Sequence, residues 1–113
     1  MTRVGTGPMP GELNAKETEQ KGWAEFGTVT GRPRRAAEFD FNLASRAIML
    51  NSATQLAITK LDVRFPECAG VKSINDLDNE AKSFIKNIEE KLNVPVTLIG
   101  TGPLIDDVID LRT

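Results

Sequence analysis

The 113-residue sequence contains no histidine and no tyrosine, one cysteine and one tryptophan. Without histidine it lacks the commonest general acid–base group and the commonest transition-metal ligand. The single cysteine, Cys68, cannot staple the fold, and with no histidine to help it a zinc site is close to excluded. Cys68 follows Phe65-Pro66-Glu67 and reads as a loop thiol without chemistry, in keeping with a reducing cytoplasm. The absence of tyrosine and a lone Trp23 leave no stacking platform for single-stranded nucleic acid. No apolar run approaches the roughly 20 residues of a membrane span, and the start of the chain has no signal-peptide core. A net charge of -2 argues against a general nucleic-acid or membrane-surface binder. The expectation is a cytoplasmic protein with neither of those partners.

What is present is ordinary for a soluble domain: 40% hydrophobic and 27% charged residues, in a length that suits one domain, residues 1–113. Residues 1–11 hold three glycines and two prolines and read as constrained loop. A domain rarely opens that way, so the chain reads as a piece of something longer. Residues 12–21 form either a short exposed helix or a mobile segment. Asp40 is placed to cap a helix from Phe41 to about Ser52, with Leu43, Ala44, Ala47, Ile48 and Asn51 along one face. Gln55 to Val63 reads as a buried strand and 64–75 as loop. The clearest helix spans about Leu77 to Leu92, where Ala81, Phe84, Ile85, Ile88 and Leu92 recur at helical spacing. Val96 to Ile99 is a second strand, and Val108 to Leu111 a candidate third. Helix, strand, helix, strand implies an α/β layer with a parallel pair, whose ligands sit beyond the carboxyl ends of the strands.

The most telling stretch is Gly27-Thr28-Val29-Thr30-Gly31-Arg32-Pro33-Arg34-Arg35. Three arginines and two threonine hydroxyls stand on a backbone bent by glycines, with Pro33 stiffening the turn between the arginines. Guanidinium forks match carboxylate and phosphate oxygens, so the loop suits an anion with several oxygens; a solvated basic turn is the plainer alternative. The first strand delivers Thr59-Lys60-Leu61-Asp62. A carboxylate there can accept two parallel hydrogen bonds from guanine, a pairing adenine cannot offer, and the Lys60 stem can lie over the base. The alternative is a surface ion pair. The second strand ends in Gly100-Thr101-Gly102-Pro103, whose backbone amides suit a guanine oxygen and whose glycines leave room for a ring. A simple turn is the alternative there.

These stretches resemble, in order, motifs of the adenylosuccinate synthetase family. Thr2-Arg3-Val4-Gly5-Thr6-Gly7-Pro8-Met9-Pro10 is similar to its T-R-V-G-x-G-P-F-P segment, and Glu25 through Arg35 to its E-F-G-x-T-T-G-R-x-R-R loop. Asn51-Ser52 with Thr59-Lys60-Leu61-Asp62-Val63 resembles L-N-S…T-K-L-D-V, and Gly100 to Pro103 its S-T-G-P turn. The resemblance implies the C-terminal part of a GTP-dependent ligase joining aspartate to IMP in purine biosynthesis. It implies an α/β fold with a partial parallel sheet and flanking helices, the C-terminal portion of a P-loop-like GTP-binding fold. It further implies that Thr28, Val29, Thr30, Gly31, Arg32, Pro33 and Arg34 close over aspartate, with Val4 and Arg32 toward IMP. Arg34 would also reach the GTP side, and Lys60, Leu61, Asp62, Gly100, Thr101 and Gly102 would hold GTP. Mg²⁺ is implied as cofactor, with ligands mostly outside this chain, and a homodimer as the full enzyme.

The sequence departs from the pattern at Val29, where the family has threonine, and at Ala36-Ala37-Glu38-Phe39-Asp40, where it has x-G-W-L-D. The connection after Val63 is short, as in the compact archaeal form. Nothing resembles the family's G-D-E-G-K-G phosphate loop, its aspartate base or its histidine acid. The expectation is therefore no catalytic residue on this chain, beyond transition-state support from Arg34, and no activity of the chain alone. A stand-alone guanine-nucleotide-binding module and an anion- or RNA-binding domain are the rival readings.

Overall fold

The computed structural model describes residues 1–3 and 7–112, which divide into two compact units, Met1–Asp40 and Phe41–Thr113.

In the first unit, strand β1 (Thr2–Arg3) pairs antiparallel with β2 (Arg35–Ala36), Thr2 opposite Ala36. Between them, residues 12–21 resolve in favour of a short helix, α1 (Ala15–Gln20). Its start is a reciprocal cap: Asn14 Oδ1 accepts the Glu17 N–H at 2.9 Å, and Glu17 Oε2 accepts the Asn14 N–H at 3.0 Å. Such a cap satisfies two of the N–H groups a helix start leaves open. The Leu13 N–H donates to Ala36 O at 2.9 Å, tying the approach to α1 onto β2.

The second unit opens with α2 (Phe41–Asn51), ended by Ser52 in the left-handed region at φ 49°. Strand β3 is Leu56–Ile58, only three residues and half exposed. The expected strand to Val63 is a correction: Lys60 adopts φ 58°, ψ 42°, and Leu61–Arg64 then wind into a helical turn, α3. A short apolar run does not distinguish strand from helix, and here burial of Leu61 decides. The expected loop contains two 3₁₀ turns, Pro66–Cys68 and Ile74–Asp76.

Helix α4 (Asn79–Leu92) starts two residues later than expected. Asp78 is its cap, accepting the Ala81 N–H at 2.8 Å. The expected stripe is there: Ala81, Ile85 and Ile88 are buried, and α4 packs on α2. Asn93 ends α4 at φ 53°, and Glu89 reaches past the turn to accept the Val96 N–H at 2.8 Å.

Strand β4 (Val96–Gly100) lies between β3 and β5 (Val108–Asp110). The β3–β4 pair is parallel, as expected, with Ile58 opposite Ile99; β5 runs antiparallel, so the sheet is mixed. Leu61, Leu77, Val96, Ile99 and Ile109 close the core with α4. No helix of the described residues is long and apolar enough to cross a membrane.

Candidate functional site

The arginine stretch is a hairpin in the first unit. Phe26 and Pro33 form an antiparallel bridge, Gly27 N–H donates to Arg32 O at 2.9 Å, and Arg34 N–H donates to Glu25 O at 2.7 Å. The tip turns through Gly31 at φ +64°, a conformation glycine takes without strain. Pro33 lies at the bridge, on the strand side of the turn, and so sets the direction of the arginines that flank it. Thr28, Val29 and Thr30 are all exposed at the tip, where Thr30 Oγ1 accepts the Arg32 N–H at 3.4 Å.

The three arginines have different environments. Arg35 is committed to structure, its Nη1 held by both Glu12 carboxylate oxygens at 2.9 and 3.0 Å. Arg32 is exposed. Arg34 is intermediate: its Nε is buried with no hydrogen-bond partner, and the nearest carboxylate oxygen, Glu25 Oε1, stands at 3.6 Å. An unsatisfied buried donor of this kind costs about 1–3 kcal/mol, more when charged. All three line a groove of about 1070 Å³, together with Arg3, Glu12, Glu19, Glu25 and the inner side of α1. Guanidiniums outnumber carboxylates there by one. Arg3 is steadied by Nη1–H donation to Pro8 O at 2.7 Å, and its guanidinium lies so close over Gly7 that any side chain at 7 would strike it. Val4 lies outside the described residues.

In the second unit the parallel pair brings the other two stretches together. A Cβ on Gly100 would lie 3.6 Å from Thr59 Cα and 3.7 Å from Lys60 N, so the ends of β3 and β4 are in van der Waals contact. Lys60 is exposed and Asp62 half-buried. They do not share a strand face, because the chain turns at Lys60 and Asp62 sits in the first turn of α3.

Two residues expected to hold nucleotide have other work. Leu61 is a core side chain, 2% exposed. Thr101 is fully buried, with its hydroxyl donating to Val71 O at 2.8 Å, its N–H to Asp107 O at 2.8 Å, and its carbonyl accepting the Gly70 N–H at 3.0 Å. The Thr101 amide is thus not the exposed donor that was expected. Thr101 clamps the connector after α3 to the end of β4.

Asp107 was not foreseen. Its Oδ2 accepts the Leu104 N–H at 3.1 Å, its N–H donates to Leu104 O at 3.0 Å, and its carboxylate packs on Gly102, so a side chain there would require Asp107 to shift. An aspartate a few residues past a Gly-Pro pair is the signal that marks such a turn. Cys68 is fully buried; burial pushes its thiol up, and the charges of Asp78, Glu67 and Asp62 add to this against a backbone hydrogen bond at Asp78. A thiol so held is inert at neutral pH. Among the described residues no three His, Cys, Asp or Glu side chains gather to hold a metal ion.

The chain is 50% identical over 112 residues to the adenylosuccinate synthetase of Methanosphaera stadtmanae, covering 99% of this chain and 33% of that protein. It is 54% identical over 111 residues to that of Methanocaldococcus jannaschii, covering 98% and 32%. Its fold matches the fully ligated adenylosuccinate synthetase from Plasmodium falciparum with a TM-score of 0.86 at 25% identity, covering 99% of this chain and 38% of that one. The chain thus spans about a third of the length of the relatives it matches. Residues 1–67 fit the adenylosuccinate synthetase family model, and the chain belongs to that family as a C-terminal, fragment-like match.

Proposed function

We propose that this chain is the GTP- and aspartate-recognising C-terminal part of an adenylosuccinate synthetase, the C-terminal portion of a P-loop-like GTP-binding fold. The full reaction transfers the γ-phosphoryl of GTP to the 6-oxygen of IMP; the aspartate amine then attacks C6 and loses a proton as the C6–O6 bond breaks and inorganic phosphate leaves with that oxygen. The observation that carries the reading is the buried Arg34 Nε, which lacks a hydrogen-bond acceptor in a groove rich in guanidiniums. A substrate carboxylate supplies the missing acceptor, and a charge-assisted bond there is worth about 1.5–3 kcal/mol.

In this reading Arg32 and Arg34 hold the aspartate carboxylates, Arg34 also balances developing phosphoryl charge, and Thr28, Thr30 and the Gly31–Pro33 backbone frame the loop. Val29 contributes no hydroxyl to it. The family resemblance assigns Val4 to the IMP sugar. Asp62 accepts the paired guanine donors, the Lys60 stem covers the base, and the turn from Gly100 to Gly102 lies beside it. Leu61 and Thr101 act from the core beneath. When bound, Mg²⁺ neutralises phosphate charge. The working enzyme is a cytoplasmic homodimer containing the rest of the synthetase, and this chain has no ligase activity by itself. A second reading, a guanine-nucleotide-binding module without catalysis, is favoured by the self-contained core around β3, β4 and α4; aspartate binding separates the two.

The test is phosphate release with GTP, IMP, aspartate and Mg²⁺. The purified chain is expected to give none, and the chain joined to the first two thirds of a relative to give turnover. In that assembled form Arg34→Leu should lower kcat/KM for aspartate roughly 10–100-fold with IMP affinity little changed. Unchanged aspartate kinetics with collapsed IMP affinity would overturn the loop assignment.

A further inference from the structure

We infer that the outer face of α2, centred on Met49 and Leu50, is where the remaining two thirds of a synthetase chain dock; this rests on the C-terminal assignment above. Helix α2 runs Phe41-Asn42-Leu43-Ala44-Ser45-Arg46-Ala47-Ile48-Met49-Leu50-Asn51 and carries one charge, Arg46. None of its eleven residues is buried, and Met49 and Leu50 are each 69% exposed. Consecutive residues point about 100° apart, so together they hold a broad apolar sector open.

Its neighbour α4 differs. The stripe of α4 is buried, and its open side carries Glu80, Lys86 and Glu90, with Lys86 and Glu90 ion-paired at 3.7 Å. That is how a helix facing water is written; one apolar on several sides belongs in an interior. Helix α4 covers one side of α2, where Lys91 Nζ lies 4.4 Å from the Phe41 ring centre. The occupant of the other side follows from length. Helix α2 lies inside the segment matching the family model, in a chain that aligns with only 33% of a relative. The other two thirds of that fold are the material against which this face closes. The near absence of charge argues for an apolar protein surface and against a nucleotide or nucleic acid.

The experiment reads burial directly. Met49→Cys and, separately, Leu50→Cys are made in the 113-residue chain and in a chimera carrying the first two thirds of the Methanocaldococcus jannaschii synthetase before it. Each is labelled with a maleimide and quantified by peptide mass. Cys68, fully buried, is the internal reporter of unfolding. Fast labelling is expected in the chain alone, and labelling slower by roughly tenfold or more in the chimera, with Cys68 unlabelled in both. Equal rates overturn the proposal. Slow labelling already in the chain alone also overturns it, with size-exclusion chromatography assigning the cover to a second copy or to the chain's own first forty residues. If the fusion misfolds, the pieces are co-expressed as separate chains, and no assembled species in either format overturns the proposal as well. Phosphate release is measured in parallel. Protection without turnover sinks the proposed function and leaves the docking face; turnover with an exposed thiol does the reverse.

Discussion

In Met1–Asp40 the buried side chains among the described residues are Thr18, Ala36 and Ala37, whereas Phe41–Thr113 encloses Leu61, Leu77, Ile85, Ile88, Val96, Ile99 and Ile109. The first unit is held by polar devices: the Asn14–Glu17 cap, the Arg35–Glu12 pair and the hairpin hydrogen bonds. A stretch of about 40 residues rarely supports a fold on its own core. The second unit has a sheet and helix closed around branched aliphatics. Polar ordering leaves guanidinium capacity over, as at Arg34. Apolar ordering leaves geometry over: a rigid pair of strand ends with Asp62 and the glycine turn beside them. On the proposed function, recognition by charge falls to the first unit and recognition by shape to the second.

The comparison breaks most visibly by emptying the second core. Ile99→Ala should cost about 2–5 kcal/mol, read by far-UV circular dichroism, where α2 and α4 of the second unit supply most of the helix. Trp23, the only tryptophan, belongs to the first unit, and its fluorescence transition in urea should shift much less. Coincident shifts of both signals would merge the units into one cooperative fold. The shape side is sharpened by Asp62→Asn in the assembled enzyme. An amide turned toward a guanine donor should cost about 1–3 kcal/mol of GTP use, while XTP, which carries an oxygen where guanine has its amine, should gain. Equal losses for both nucleotides return Thr59-Lys60-Leu61-Asp62 to a surface role.

In the first unit, Asn14→Ala removes half of the reciprocal cap and should cost about 1 kcal/mol, seen in the Trp23 transition; no shift would show that α1 contributes little to that unit. The smallest effect lies at the end of β5. Asp110 is held at about 2, below its ordinary 3.8, by hydrogen bonds from the Arg112 side chain and backbone. Its folded-state value is depressed, so its stabilising contribution is complete above 3.8 and is lost as pH falls from there through about 2. The pair is fully exposed, and its effect on unfolding should be slight. An NMR titration of the Asp110 carboxyl should show the low midpoint, and Arg112→Ala should return it toward 3.8.

Much of this was legible locally. The i, i+3, i+4 recurrence from Ala81 to Leu92 wrote α4, because helical spacing is a short-range property. The apolar runs on either side of it wrote the parallel pair, and Gly31 marked the hairpin turn. The motif order from Thr2 to Pro103 indicated the family that the relatives bear out. Boundaries set by distant partners were not legible. Leu61 looked like strand because nothing local distinguishes a buried strand from the first turn of a buried helix.

By itself, then, the sequence determined which chemistries are missing, where the periodic helices fall, and which glycines and arginines cluster. Only the tertiary structure decided how those residues are used. Arg35 is taken by Glu12, 23 residues away; Thr101 is spent on Val71, 30 residues away; and Arg34 keeps a buried donor open. A side chain's remaining capacity to bind is what its long-range partners leave unused, and those partners become neighbours only when the chain has folded.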